Sequence, residues 1–228
     1  MSFLLPKPLG DATTLPFILV CEGYGDAKFF NKFLEFLKID NCSVGCPSRD
    51  VCKEYEGDTD LEKYLHGIRF ITRKQGAAPF RGLLVIVDAD EKPQEQFVYA
   101  VEALKNAGFP VPQKEFILSE QDGLRIGVFL MPGEGRSGTL EHLLLEATLI
   151  KTPAFVDCLE QFSTCTGIIP SGTENQQAKM KMSALVGATC KNNPWASPAH
   201  VWSDPGNPVP IESKAFDHIS KFLRIFVV

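Results

Sequence analysis

The chain has 228 residues and carries 23 Lys and Arg against 28 Asp and Glu, a net charge of −5. Hydrophobic residues make up 44% and charged residues 22%, the balance of a globular protein rather than a disordered one. No run of Lys and Arg provides the broad cationic surface used for tight non-specific DNA binding, and no apolar run reaches the roughly 18 residues needed to span a bilayer.

The length suits one large α/β domain, or one domain with an appendage. The N-terminal stretch MSFLLPKPLGD has too short an apolar core, and no cleavage pattern, for a signal peptide. A cytoplasmic protein is therefore expected. Seven cysteines are scattered without a paired CxxC and a matching second half. Cys42, Cys46 and Cys52 raise the question of zinc, but free thiols are the expected state.

Residues 1–15 read as an irregular lead-in. Phe17–Cys21, FILVC, is a continuous apolar run of the kind found in strands buried on both faces. It ends at Glu22-Gly23-Tyr24-Gly25-Asp26, where a helix opens. Phe29, Phe30, Phe33, Phe36 and Leu37 recur at helical spacing and give that helix a core face. Gly23 and Gly25 permit a sharp turn and close approach of another group.

Residues 40–58 are polar and hard to assign, with a short strand possible near Cys42–Val44. Leu61, Tyr64, Leu65, Ile68 and Ile71 mark an amphipathic helix, capped by Asp58 or Thr59. Leu83–Val87 is a second buried strand, running straight into Asp88-Ala89-Asp90. A helix marked by Phe97, Ala100, Val101 and Leu104 follows and stops at Asn106-Ala107-Gly108. Phe116–Ser119 and Arg125–Met131 flank Gln121-Asp122-Gly123, a hairpin signal.

The glycine-rich loop Gly133–Gly138 lacks the lysine-hydroxyl pair of a P-loop. It leads into a helix capped by Thr139 that carries Glu141 in its first turn. Beyond Lys151 strand signals cease. Pro153–Phe162 and Gln176–Cys190 read as helices. Asn192–Pro210 holds five prolines and both tryptophans, and Trp195 and Trp202 are expected to be buried. Ser213–Phe226 is a last amphipathic helix. The expected organisation is an α/β core over 1–150 with a mostly parallel central sheet flanked by helices. A helical C-terminal extension over 151–228 packs on it.

Glu22, the pair Asp88 and Asp90, and Glu141 all fall where a strand gives way to a helix. In open α/β sheets ligands bind at that edge, and neighbouring strand ends lie roughly 5 Å apart. Residues i and i+2 of an extended chain point the same way, so Asp88 and Asp90 are expected to converge on one cation. Each acid alone also fits a helix cap or a solvated turn. Together they suit a hard divalent cation, which relieves the repulsion of clustered carboxylates.

Glu22-Gly23 after one strand and Asp88-x-Asp90 after another resemble a TOPRIM domain, the catalytic fold shared by topoisomerases, primases and OLD-family nucleases. The stretch Leu130-Met131-Pro132 to Gly138-Thr139-Leu140-Glu141 is similar to the small stand-alone TOPRIM-like proteins of the DUF3226 kind. Lys179–Leu185 resembles their lysine-bearing C-terminal helix. The resemblance covers roughly residues 16–190 and implies a Rossmann-like TOPRIM fold. It also implies one or two Mg²⁺ or Mn²⁺ ions held by Glu22, Asp26, Asp88, Asp90 and Glu141. Glu22 would serve as ligand or general acid/base, and Lys179 or Lys181 would neutralise charge on a scissile phosphate. His142 departs from the pattern, standing where these relatives often carry an acid.

The activity expected is Mg²⁺-dependent phosphodiester hydrolysis of DNA or RNA. The alternative is a non-catalytic binding module that works with a partner protein such as a separate ATPase, since no ATPase motif is present. Asp88-x-Asp90 as a phosphotransferase nucleophile lacks the hydroxyl expected shortly after the second Asp, where Lys92 stands, and as a sugar-nucleotide metal motif it leaves Glu22 and Glu141 unexplained. Topoisomerase action needs a nucleophilic tyrosine on a separate domain, and none of Tyr24, Tyr55, Tyr64 or Tyr99 lies in one.

Overall fold

The computed structural model describes residues 15–47, 60–73, 79–167, 172–196, 202 and 204–228. The lead-in over 1–14, the caps Asp58 and Thr59, and Cys52 lie outside the described residues. Five strands form one mixed sheet: β1 (Phe17–Cys21), β2 (Cys42–Gly45), β3 (Gly82–Asp88), β4 (Ser119–Gln121) and β5 (Leu124–Met131). Their order is β2-β1-β3-β5-β4. The first four in that row run parallel, and β4 pairs antiparallel with β5.

The helices are α1 (Tyr24–Leu37), α2 (Asp60–Thr72), α3 (Pro93–Asn106), α4 (Leu140–Lys151), α5 (Ala154–Thr166), α6 (Glu174–Thr189) and α7 (Asp217–Phe226), the last preceded by a 3-10 turn, Lys214–Phe216. Among the described residues no helix is long and apolar enough to cross a membrane.

Both sheet faces are buried, which explains why the strands read as unbroken apolar runs. On one face Phe17, Leu19, Cys21, Leu84, Ile86, Phe129 and Met131 pack against α1, α4, α6 and α7. On the other, Ile18, Val20, Leu83, Val85, Val87, Ile126 and Val128 pack against α2 and α3. The chain leaves β1 across the first face by α1 to reach β2. It returns across the opposite face by α2 to reach β3. The direction of winding therefore reverses between β1 and β3, and a crevice opens at their carboxyl ends.

The hairpin turn is Asp122-Gly123, both at positive φ, 52° and 74°, as a two-residue turn between twisted strands requires. Its first arm is Ser119–Gln121 rather than Phe116–Ser119. Phe116 instead leaves the ladder, with φ 60°, and sets its ring against Phe129 and Phe222. Two expected core residues are also outside. Phe36 is 45% exposed and Trp195 is 91% exposed. Leu34 takes the buried place on α1. Trp202 lies on Phe29, centroids 4.9 Å apart, with its indole N–H donating to the Val209 carbonyl. Ile71, near the end of α2, is only partly buried.

Helix α7 closes the first face. Phe226 is fully buried with its ring 5.2 Å from that of Phe17, and Phe222 packs beside Phe129. A Cβ on Gly82 would meet both Phe17 and Phe226 within 3 Å, so the absence of a side chain there lets the C-terminal helix sit on the sheet. Phe226→Ala is expected to lose about 3–5 kcal/mol of stability by emptying this contact. Urea unfolding checks it, and a loss below about 1 kcal/mol would show that the helix does not depend on that ring.

Candidate metal centre at the sheet's switch point

β1 hands its backbone to the crevice through Glu22, whose N–H donates to the Ile86 carbonyl. The Glu22 side chain reaches across the sheet, and its Oε2 accepts from the Asp88 N–H at 3.4 Å. One turn into α1, Asp26 folds back so that its Oδ2 accepts from the Gly23 N–H at 3.2 Å. A Cβ on Gly23 would stand 3.0 Å from that oxygen, which accounts for the glycine after Glu22. Asp88 ends β3, and its Oδ1 accepts from the Leu140 N–H, the first of α4, at 3.2 Å. Glu141, next along α4, accepts from the Thr139 hydroxyl at 2.8 Å. The N-termini of α1 and α4 thus both point into the crevice, where their unpaired N–H groups favour negative charge.

That help does not cancel the crowding. Burial, then the charges of Asp26, Glu22, Glu141 and Asp90, push the Asp88 carboxyl up to about 9. Burial and the charges of Glu141 and Glu22 raise Asp26 to about 6, against the opposing pull of the Gly23 N–H and Lys179. Carboxyls held this way keep their protons or take a cation. All the donors are hard oxygens, the set that Mg²⁺ and Mn²⁺ accept. Among the described residues no group of three or more His, Cys, Asp or Glu side chains is set closely enough to hold a metal ion as it stands. Like charges without a counter-ion are held apart by their own repulsion.

Asp90 behaves differently from the expected i, i+2 partner of Asp88. The strand ends at Asp88, and Asp90 has φ 51°, so the extended alternation does not reach it. Its backbone instead pairs with Gly138 in both directions, at 2.8 and 2.7 Å. Its carboxylate accepts from Asn175 at 2.9 Å and Gln96 at 3.3 Å. Of the acids acting on Asp88 it contributes least. Gln96 and Asn175 were not singled out in the sequence. Gln96 lies one turn into the helix after the motif and is findable by spacing. Asn175 is 85 residues from Asp90, and no local pattern links them.

The two lysines of α6 separate. Lys179, one turn after Asn175, acts on Asp26, whereas Lys181 acts on His142. His142 itself closes the start of α4. Its Nδ1 accepts from the Thr139 N–H at 3.1 Å, the reciprocal half of a capping box ordinarily filled by Glu or Gln. Burial lowers its pKa, as suits a ring nitrogen that must accept. Gly138 has φ 133°, and a Cβ there would stand 3.0 Å from that ring.

The cysteines near the site are free. Cys21, Cys42 and Cys46 are buried, and burial raises all three thiols, with the charge of Asp26 adding to the effect at Cys21 and Cys46.

With this geometry in view, the chain was compared with known proteins. The family described as "Protein of unknown function (DUF3226)" matches residues 16–224. The chain belongs to that family. The match runs from the residue before β1 to within α7, so the C-terminal helix that closes the sheet is part of the DUF3226 unit. No curated protein and no solved structure gives a significant match.

Two outcomes follow. A carboxyl raised by folding binds its proton more tightly folded than unfolded, so it destabilises the fold as pH climbs from about 3.9, its unfolded value, through its folded value. In EDTA the melting temperature of this protein should fall between about pH 5 and pH 9, and Asp88→Asn should remove most of that slope. An unchanged slope in the mutant would place the strain elsewhere. His142→Ala should cost about 1 kcal/mol in urea unfolding and His142→Gln markedly less, because glutamine restores an acceptor for the Thr139 N–H.

Proposed function

We propose that this DUF3226 protein is a divalent-metal-dependent phosphodiester hydrolase acting on DNA or RNA, on a TOPRIM-like version of the α/β fold. The observation that carries the reading is that Glu22 and Glu141 act on both Asp26 and Asp88 at the switch point, with the Glu22 carboxylate on the Asp88 N–H. There burial, and after it their mutual repulsion, hold Asp88 and Asp26 well above the usual carboxylate range. A structural cap has no need of four acids from three separate segments. The mostly parallel sheet and the placement of the Glu-Gly and Asp-x-Asp segments on neighbouring strands support the TOPRIM comparison.

Glu22, Asp26, Asp88 and Glu141 would hold Mg²⁺ or Mn²⁺. When bound, such ions supply positive charge that acidifies a coordinated water and offsets charge on phosphate oxygens. The Leu140 N–H fixes the Asp88 carboxylate, so that one oxygen stays oriented whether or not the other is engaged. Glu22 would serve as a ligand or as general acid/base. Lys179 acts electrostatically on Asp26 and would offset charge on a phosphate held beside it. Asn175 and Gln96 keep Asp90 in place and, through its pairing with Gly138, hold the loop before α4 against the end of β3.

The test is cleavage of labelled single- and double-stranded DNA and RNA in Mg²⁺ and Mn²⁺. Asp88→Asn and Asp26→Asn should each lower the rate at least about 100-fold, on the scale of losing an electrostatic contributor to the transition state. Lys179→Ala should lower it more than Lys181→Ala. Cleavage retained in Asp88→Asn would overturn the assignment. Absence of cleavage of every substrate by wild type, with Mn²⁺ bound, would favour a binding module working with a partner such as an ATPase.

A further inference from the structure

At the opposite, amino-terminal end of the sheet lies a cleft of about 610 Å³, formed by the last turn of α2, the residues entering β3 and β5, and the turn after α3. Its floor is aromatic. Phe80 and Phe109 meet edge to face, centroids 6.3 Å apart, and the Arg69 guanidinium lies over the Phe109 ring at 4.9 Å. Arg73, one turn on, lines the same cleft.

Two arginines at i, i+4 repel each other on a bare helix surface. Here neither has an ion-pair partner among the described residues, and the Arg69 Nε is buried with no hydrogen-bond acceptor. Burial and the charge of Arg73 lower the Arg69 pKa, the direction an anion would reverse. Asp122 lines the cleft from the hairpin turn but pairs with neither arginine, leaving a net positive charge. The end of a helix favours cations, which explains one arginine there. It does not explain a half-buried arginine whose Nε is shielded from water with no acceptor among the described residues, beside a second arginine.

We propose that this cleft binds the phosphate of a nucleotide, with the guanidinium forks of Arg69 and Arg73 on the phosphate oxygens and Phe80 flanking the base. Paired guanidinium groups present several N–H donors in planes that suit an oxyanion. The volume exceeds what a lone phosphate fills and falls in the range of small-molecule sites. β3 has seven residues, so the cleft lies roughly 20 Å from the carboxylates. The site is therefore separate from the proposed hydrolytic centre and does not depend on it. The nucleotide is either free or one unit of a strand, and the two arms of the test tell these apart.

Binding is measured on the full chain in EDTA, so that no metal bridges a ligand to the carboxylates. One probe is AMP, by calorimetry. The other is a fluorescent single strand of about 15 nucleotides, by anisotropy across a salt series. Wild type should bind at least one probe. Arg73→Gln should weaken binding about tenfold, and for the strand should reduce the salt slope by about one. Arg73→Lys should keep the slope, and Asp88→Asn should leave affinity unchanged. Displacement of the strand by AMP, or AMP binding alone, assigns a free nucleotide. Strand binding that AMP does not displace assigns nucleic acid. The proposal fails if wild type binds neither probe, if Arg73→Gln and Arg69→Gln both bind as wild type does, or if Asp88→Asn abolishes binding. Cleavage is not read, so a failure here leaves the hydrolase reading as it stood.

Discussion

The parallel pairing of Phe17–Cys21 with Gly82–Asp88 is the constraint on which the rest depends. It aligns the two strands from Phe17 opposite Gly82 to Cys21 opposite Ile86, and so delivers Glu22 and Asp88 side by side. Because both strands are buried on both faces, a slip of one residue would exchange core and opposite-face side chains along the whole length. Register is therefore fixed by packing, and the position of the carboxylates follows from register. The reversal of winding between these strands then opens the crevice at their carboxyl ends, where the acids emerge.

A site assembled this way is electrostatically unfavourable in the absence of a counter-ion. Clustered carboxylates in a partly dry crevice raise one another's pKa, and the helix N-termini of α1 and α4 only partly offset this. The fold tolerates the strain because hydrophobic burial on both faces of the sheet is extensive and lies at a distance from it. The same logic explains the amide donors on Asp90. Neutral Asn175 and Gln96 hold that carboxylate by hydrogen bonds without adding the positive charge that would compete with a metal for its neighbours. His142 follows a related rule. A neutral imidazole closes the start of α4 as a glutamate would, and adds no further negative charge beside Glu141.

Strands, most helices and the acidic positions were legible because each is written in local pattern. Unbroken apolar runs gave β1 and β3, helical periodicity gave α1 and α3, and Asp122-Gly123 gave the turn. Misreadings arose where burial depends on partners distant in sequence. Phe36 has the right spacing for the core of α1 but lies at the margin of its buried arc, and Leu34 fills the interior instead. Trp195 was expected to need burial, yet is exposed. Phe116 looked like a strand residue but is drawn out of the ladder by the aromatic cluster of Phe129, Phe222 and His218.

The sequence by itself determined which residues are acidic, which runs become buried strands, and that Glu22, Asp88 and Glu141 each stand where a helix begins. These are consequences of hydrophobic periodicity and turn chemistry, which act over a few residues. Only the tertiary structure decided that Asp90 turns to Asn175, and that Lys179 rather than Lys181 acts on Asp26. Each of these depends on segments between about 50 and 150 residues apart meeting at one sheet edge. That meeting is set by strand order and by the side of the sheet each helix covers, which no local spacing encodes.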